Sequence, residues 1–120
     1  MRLIKSKVYL SLSIGYMVLI FYLSSISIPE TFIFWFDPYK LIMHFFEFGI
    51  LAFLWYLTSL NKLFSFLMTT SYGIFDEIHQ YFVPRRIADP LDALFDSLGA
   101  LSFVLIAEYL TKKKLILEAP

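Results

Sequence analysis

The sequence predicts an all-α integral membrane protein, a four-helix bundle with both termini in the cytoplasm. Its 120 residues are 59% hydrophobic and 20% aromatic, with a mean hydropathy of +0.71, which is more apolar surface than a small water-soluble domain can bury. Four apolar segments run through the chain, each about one bilayer thick. Basic residues gather on one side of these segments, and Lys and Arg preferentially stay in the cytoplasm.

The first predicted span covers residues 8–28. The segment from Val8 to Pro29 contains no charged residue, and its length matches the roughly 20 residues that a helix needs to cross a bilayer. A cleaved signal peptide is the alternative, because a basic leader precedes this segment and Ser25-Ile26-Ser27 has the form of a small-x-small cleavage site. The apolar run is longer than a usual signal core, so we expect a retained span.

Three further spans are predicted, at about residues 41–60, 63–82 and 91–110. Their connections are short, Asn61-Lys62 and Val83 to Pro90, which favours antiparallel helical hairpins. No repeat, low-complexity tract or linker divides the chain, so we expect a single membrane domain over residues 1–120. Because the chain has no cysteine, it can form neither a disulfide nor a thiolate metal site.

The orientation follows from the basic residues. Seven lie on the side of the termini: Arg2, Lys5, Lys7, Lys62, Lys112, Lys113 and Lys114. Three lie on the other side: Lys40, Arg85 and Arg86. The loops 30–40 and 83–90 are therefore predicted to face outward.

Polar residues of spans two, three and four are predicted to lie in one layer near this outer side. At 1.5 Å per residue they lie within about 9 Å of the outer boundary. On each helix they share one stripe, with spacings of i,i+3, of i,i+4 and of i,i+4,i+7. The stripes are His44 with Glu47, Asp76 with Gln80 beside Glu77, and Asp92 with Asp96 and Gly99.

These stripes are expected to face a shared interior site. A lipid-facing carboxylate costs at least about 2.5–3.5 kcal/mol at the membrane centre and somewhat less near its edge. In span three, Ser65, Thr69 and Gly73 precede Asp76 and Gln80 on the same stripe. Small residues at four-residue spacing let helix backbones approach closely, so this stripe is predicted to point into the bundle.

These residues give the chain a resemblance to the VanZ-like family of small bacterial membrane proteins, named for a protein associated with resistance to the glycopeptide teicoplanin. The resemblance covers about residues 21–107. It rests on the order and spacing of Ser24-Ser25, His44-Phe45 with Glu47, Asp76-Glu77-Ile78-His79-Gln80, Pro84-Arg85-Arg86, Asp92 and Gly99. The resemblance implies a protein of the bacterial plasma membrane and cell envelope.

The chain departs from the family pattern in three places. Lys40 is four residues before His44 rather than three, which weakens any role for this lysine. Arg85 stands where a glycine is usual before the loop arginine, and the spacing from Pro84 favours Arg86 as the family arginine. Asp96 replaces a common asparagine and adds a negative charge to the site.

Several polar residues also have an ordinary structural explanation. Asp92 follows Pro90 in the first turn of a helix, where the helix macrodipole favours a carboxylate. Glu108 is expected to pair with Lys112 at i,i+4. His79 is not on the stripe of Asp76 and Gln80, so we expect it at the interface. Interface anchors are also predicted among the aromatic residues: Trp35, Tyr39 and Tyr81.

The predicted polar site comprises His44, Glu47, Asp76, Glu77, Gln80, Arg86, Asp92 and Asp96. Its first interpretation is a binding site in the outer leaflet, in which arginine engages an anionic headgroup of a membrane lipid or cell-wall precursor. The resemblance then implies a link to teicoplanin resistance. No nucleic-acid partner is expected, because the run Lys112 to Lys114 is typical of a topology signal or a contact with anionic lipid.

Two other functions stay open. A metal-dependent hydrolase of a lipid phosphate or phosphodiester could use a divalent cation, with oxygen ligands and general bases among His44, Glu47, Asp76, Glu77 and Asp96. A purely structural protein would pair these groups internally and lock the bundle. The sequence lacks H-E-x-x-H and G-x-S-x-G, so no catalytic signature decides whether it is an enzyme.

Overall fold

The protein folds into four α-helices, as the sequence predicts. A computed structural model describes residues 2–26, 38–84 and 90–113. The helices are α1 (Arg2–Ser24), α2 (Pro38–Ser59), α3 (Lys62–Tyr81) and α4 (Pro90–Lys112). The described residues contain no strand, so the all-α class is confirmed.

Each helix is long enough to cross a membrane. The helices have 23, 22, 20 and 23 residues, which corresponds to about 30–35 Å at 1.5 Å per residue. Three segments are also apolar enough by composition, namely Lys5–Ser24, Pro38–Ser59 and Pro90–Lys112. α3 is less apolar because its buried face carries Asp76, Glu77 and Gln80.

The helix ends differ from the predicted spans by a few residues. α1 begins at Arg2 rather than near Val8, since a helix continues through a polar interface as long as its backbone remains hydrogen-bonded. α2 and α4 begin at Pro38 and Pro90, where the fixed φ of proline suits the first helical position and its missing N–H costs nothing. α1 ends at Ser24 rather than near Ile28, and residues 27–37 lie outside the described part of the chain.

A tight connection joins α2 to α3. Leu60 has a positive φ of 56°, and Asn61 caps α3 by accepting a hydrogen bond from the Phe64 amide at 2.9 Å. The cap satisfies one of the amides that the first turn leaves without an intrahelical partner. These residues reverse the chain in a two-residue turn, so α2 and α3 are antiparallel neighbours.

The helix pair α2 and α4 forms the most extensive interface, and α1 packs mainly against α2. Gly99 of α4 lies directly against the Phe45 backbone of α2, with no room for a Cβ between them. Farther along the same seam, Ala52 packs with Ala100, Val104 and Ala107. Small side chains allow this close approach, which is the usual source of helix association in membranes.

The outer surface is apolar, as expected of a protein that contacts lipid. Exposed side chains include Val18 and Leu67, which are 64% and 51% exposed, and Met43 at 66%. Tyr39 and Tyr81, two of the predicted anchors, are exposed at helix ends, whereas Trp35 lies outside the described residues. A surface of this kind on membrane-length helices identifies a multi-pass membrane protein.

Candidate functional site

Polar side chains gather at the end of the bundle where α2 and α4 begin and α3 ends. The buried ones are His44, Asp76, Glu77, Gln80, Asp92 and Asp96, the two last being fully buried at 0% exposure. They belong to three helices and all face the interior, which is the arrangement that the stripes predict. We call this group the polar cluster. The opposite end carries a separate ion pair between Lys62 and Glu108 at 3.2 Å.

His44 of α2 and Asp96 of α4 form the central pair of the polar cluster. The imidazole Nδ1 lies 2.7 Å from Asp96 Oδ1, the distance of a strong hydrogen bond. The other ring nitrogen, Nε2, lies 3.7 Å from Asp92 Oδ2. Phe48, one turn along α2, stacks parallel to the ring with centroids 6.0 Å apart. The imidazole is thus held between two carboxylates of α4, one on each nitrogen.

Lys40 of α2 also belongs to the polar cluster, although the family pattern weakened its expected role. Its Nζ lies 2.9 Å from Asp92 Oδ2, and its side chain is 25% exposed. The pair forms because α2 and α4 start side by side, so their first turns face each other. Asp92 sits in the first turn of α4, where the macrodipole also favours it. Asp92 therefore both stabilises the start of α4 and belongs to the polar cluster.

A second hydrogen-bonded chain links the cluster to α1. Gln80 Nε2 donates to Asp76 Oδ2 at 3.1 Å and approaches Ser24 Oγ at 3.4 Å. All three residues are at least 96% buried. The i,i+4 spacing of Asp76 and Gln80 places both side chains on one face of α3. Through Gln80, Ser24 at the end of α1 is connected to the polar cluster.

The absence of a side chain at Gly73 brings α3 against Asp96. A Cβ at Gly73 would lie 2.8 Å from Asp96 Oδ2, closer than carbon and oxygen normally approach. Asp96 also lies within electrostatic range of Asp76. Ser65 and Thr69, on the same stripe as Gly73, are fully buried. The small-residue stripe of α3 thus faces the bundle, as its spacing predicts.

Glu77 and Glu47 occupy different parts of the site. Glu77 is 8% exposed and offers a carboxylate oxygen within 4.8 Å of ligand atoms of His44 and Asp92. Glu47 is half-buried, and its electrostatic neighbours are Tyr16 and Tyr72. Tyr72 is also a neighbour of Asp76, so Glu47 borders the cluster from the side of α1 and α3.

Two further residues complete the comparison with the predicted site. His79 lies apart from the cluster: its Nε2 is 2.8 Å from Ser25 Oγ, and its ring stacks on Phe21 with centroids 4.2 Å apart. Arg86, the predicted loop arginine, lies outside the described residues, as does Arg85. Tyr72 donates its hydroxyl to the Met17 carbonyl at 2.6 Å. The sequence did not predict this contact, because nothing distinguishes Tyr72 from the other tyrosines of the chain.

An apolar groove runs beside the polar cluster, between α3 and α4. Its volume is about 470 Å³. Mostly aliphatic and aromatic side chains line it, and Glu77 contributes a carboxylate. The lining residues are Ile74, Glu77, Ile78, Tyr81, Phe82, Pro90 and Ala93. The groove and the cluster therefore share Glu77. We call this feature the α3–α4 groove.

The described part of the cluster is acidic. Four buried carboxylates (Asp76, Glu77, Asp92 and Asp96) face one lysine and one histidine. Such a group attracts cations and orders the basic side chains that reach it, because a buried charge is stable only when it is paired. Glu108 at the other end pairs with Lys112 at 3.8 Å, as predicted, and also with Lys62.

Comparison with known proteins places the chain in a family. No curated protein and no solved structure matches it. A family model described as VanZ/LLP1 matches residues 8–111, a range that contains every residue of the polar cluster and most of all four helices. This multi-pass membrane protein therefore belongs to the VanZ/LLP1 family.

Proposed function

We propose that the protein binds the headgroup of an anionic lipid at the outer face of the bacterial plasma membrane, and that this binding underlies a role in the cell envelope. The observation that carries the proposal is the shared position of Glu77. This residue belongs to the polar cluster and also lines the apolar α3–α4 groove. A polar site joined to an apolar groove suits an amphiphile, whose headgroup and tail need opposite surroundings.

The groove supports a lipid rather than a soluble cell-wall precursor. Its lining is almost entirely apolar, from Ile74 and Ile78 on α3 to Ala93 on α4. An acyl chain gains about 0.8 kcal/mol for each CH₂ group moved out of water, but inside a bilayer it is already in hydrocarbon. The groove therefore supplies position and shape, and the headgroup contacts supply the specificity.

Basic residues around the cluster support an anionic headgroup. Lys40 is fixed by the buried Asp92 at 2.9 Å while part of its side chain remains exposed. Arg85 and Arg86 lie in the sequence between α3 and α4, the helices that carry the cluster's four carboxylates. Guanidinium groups bind phosphate oxygens in bidentate fashion. In this proposal the carboxylates orient the basic side chains, which would otherwise be mobile.

The side of the membrane follows from the distribution of basic residues. Seven belong to the side of the termini, and Lys40, Arg85 and Arg86 belong in the sequence to the other side, so the cluster is proposed to face outward. A headgroup site at the outer face gives a physical route to altered teicoplanin susceptibility. The resistance role is part of this proposal.

The proposal is tested by lipid binding to the purified protein. Protein in neutral detergent is titrated with phosphatidylglycerol, with phosphatidylcholine and with glycerol phosphate, and bound adducts are counted by native mass spectrometry. We expect phosphatidylglycerol to bind in preference to phosphatidylcholine. Binding of glycerol phosphate with equal affinity would instead indicate a soluble phosphate ligand and refute the role of the groove.

Two variants locate the binding site. Lys40→Met should weaken phosphatidylglycerol binding about fivefold, since one lysine near a membrane surface contributes about 1 kcal/mol toward an anionic headgroup. Lys62→Met is the matched control, because Lys62 also pairs with a carboxylate but at the opposite end of the bundle. Equal losses in the two variants would show nonspecific attraction and sink the proposal.

A further inference from the structure

Three ligand-type side chains from three helices converge within the polar cluster. His44 of α2, Glu77 of α3 and Asp92 of α4 are all buried, and each offers one atom within 4.8 Å of the other two. We propose that these residues bind a divalent transition-metal ion of the Mn²⁺ or Zn²⁺ class. The site would tie together the ends of three helices.

The surroundings of His44 are those of a metal-binding imidazole. Nδ1 lies 2.7 Å from Asp96 Oδ1, so in the neutral imidazole that donates to Asp96 the lone pair is on Nε2, which faces Asp92 Oδ2 at 3.7 Å. A carboxylate on the far nitrogen fixes the tautomer and ring orientation and raises the basicity of a ligating histidine. Asp96 is thus a positioning residue for the site rather than a ligand.

A buried carboxylate oxygen of Asp92 gives an independent indication of a cation site. Asp92 Oδ1 is buried without a hydrogen-bond partner within the described residues, and the Asp92 side chain is 0% exposed. A buried polar atom without a partner is costly, all the more when it is charged. Lys40 Nζ lies 2.9 Å from Asp92 Oδ2, and in the proposal Oδ1 of the same carboxylate is the oxygen that ligates the ion.

The geometry needs only a small contraction to coordinate an ion. When three atoms are no more than 4.8 Å apart, some point lies within about 2.8 Å of all three. Zn²⁺ coordinates nitrogen and oxygen at about 2.0–2.2 Å, so each donor would move by about 0.6–0.8 Å, which side-chain rotation can supply. Water or a ligand oxygen would complete the coordination.

The ligand types select the class of metal. An imidazole together with two carboxylates suits Zn²⁺ and Mn²⁺, whereas Mg²⁺ and Ca²⁺ prefer oxygen ligands alone. The metal site stands independently of lipid binding. Only its purpose rests on the proposed function, since a divalent ion would offset the carboxylates and could take a lipid phosphate oxygen as a further ligand.

The test is a titration of the full-length protein with Mn²⁺, followed by electron paramagnetic resonance. The protein is first stripped with a chelator and kept in neutral detergent without anionic lipid and without a histidine tag. We expect one bound Mn²⁺ per chain, displaced by Zn²⁺ and not by equal concentrations of Mg²⁺ or Ca²⁺. No saturable binding below millimolar Mn²⁺ would overturn the inference, whatever the lipid experiment gives.

Nitrogen modulation of the Mn²⁺ spin echo shows whether a histidine ligates the ion. It is measured first on the wild-type protein, so this result does not require a folded variant. The chain has two histidines, and the modulation should vanish in His44→Gln and persist in His79→Gln. Bound Mn²⁺ without nitrogen modulation, or with modulation lost only in His79→Gln, would refute the site.

Carboxylate variants complete the test. Glu77→Gln should weaken Mn²⁺ binding at least tenfold, and Asp96→Asn should weaken it about 10- to 100-fold while the nitrogen modulation is retained. Glu108→Gln is the matched control, since Glu108 is a carboxylate of the opposite ion pair. If Glu108→Gln lost as much affinity as Glu77→Gln, the binding would be diffuse and the proposed site wrong.

Discussion

Replacing Gly99 by alanine should separate the two most closely packed helices of the bundle. The added Cβ would overlap the Phe45 carbonyl oxygen and lie 2.8 Å and 3.0 Å from the Phe45 carbonyl carbon and Cα. Ordinary contacts of a Cβ are 3.4–4 Å. Because the atoms it meets belong to backbone, no side-chain rotation relieves the overlap, and α2 and α4 must move apart.

The cost follows from the nature of this contact. Adding a methyl group to a well-packed interior typically costs 1–3 kcal/mol, and we expect about 3 kcal/mol here because the neighbour cannot rotate away. At this chain length that corresponds to a fall in melting temperature of about 10 °C. Gly15→Ala is the matched control, since nothing lies within 4 Å of a Cβ at Gly15. It should be neutral or stabilise the protein by up to about 1 kcal/mol.

The assay is thermal unfolding of both variants in the same detergent, followed by circular dichroism and by Trp fluorescence. Trp55 is buried in the hydrophobic cluster that also contains Phe48 and Leu51 of α2, so its fluorescence reports on the packing of that helix. We expect Gly99→Ala to melt about 10 °C below the wild type and Gly15→Ala at or above it. A Gly99→Ala protein that melts within 2 °C of the wild type would show that the α2–α4 packing described above is wrong.

Three further outcomes are expected. A single cysteine at Ala88 in this cysteine-free chain should react with an impermeant thiol reagent on intact cells; labelling only after permeabilisation would reverse the proposed orientation. Asp76→Asn should keep the oxygen that accepts from Gln80, so the variant should melt within a few degrees of the wild type. It should nevertheless lose phosphatidylglycerol binding and any effect on teicoplanin susceptibility. A variant that melts early, and whose effect on susceptibility falls only in proportion to its abundance, would indicate a structural role instead. Gly73→Ala should displace the Asp96 carboxylate, whose Oδ2 lies 2.8 Å from the added Cβ, and should weaken Mn²⁺ binding while lowering the melting temperature only slightly; a large fall in melting temperature with unchanged Mn²⁺ binding would contradict the proposed positioning role of Asp96.

The polar stripes could be found in the sequence because a helix fixes which residues share a face. Asp76 and Gln80 are four residues apart, and Asp92 and Asp96 are as well, so each pair lies on one side of its helix. The cost of a charge in lipid then turns each stripe inward. The structure buries these four side chains, and it does so at the end of the bundle that the counting from the helix ends indicates.

The partners within the cluster could not be found in this way. Pairing depends on the rotation and axial offset of one helix relative to another, and close packing of small residues sets both. Gly99 against Phe45 fixes α4 on α2, and this contact aligns Asp96 with His44 Nδ1. It also brings Asp92 within 2.9 Å of Lys40, a residue that family spacing alone had set aside.

The sequence by itself determined that the protein is a membrane-spanning bundle of four helices and which faces of those helices are polar. These properties follow from apolar length and helical periodicity, which are local and need no knowledge of neighbouring helices. Only the tertiary structure decided that His44 lies between Asp96 and Asp92, that Gln80 joins Asp76 to Ser24, and that the groove opens beside Glu77. These contacts join residues far apart in the chain, and they arise from how closely the helix backbones approach, which no segment encodes alone.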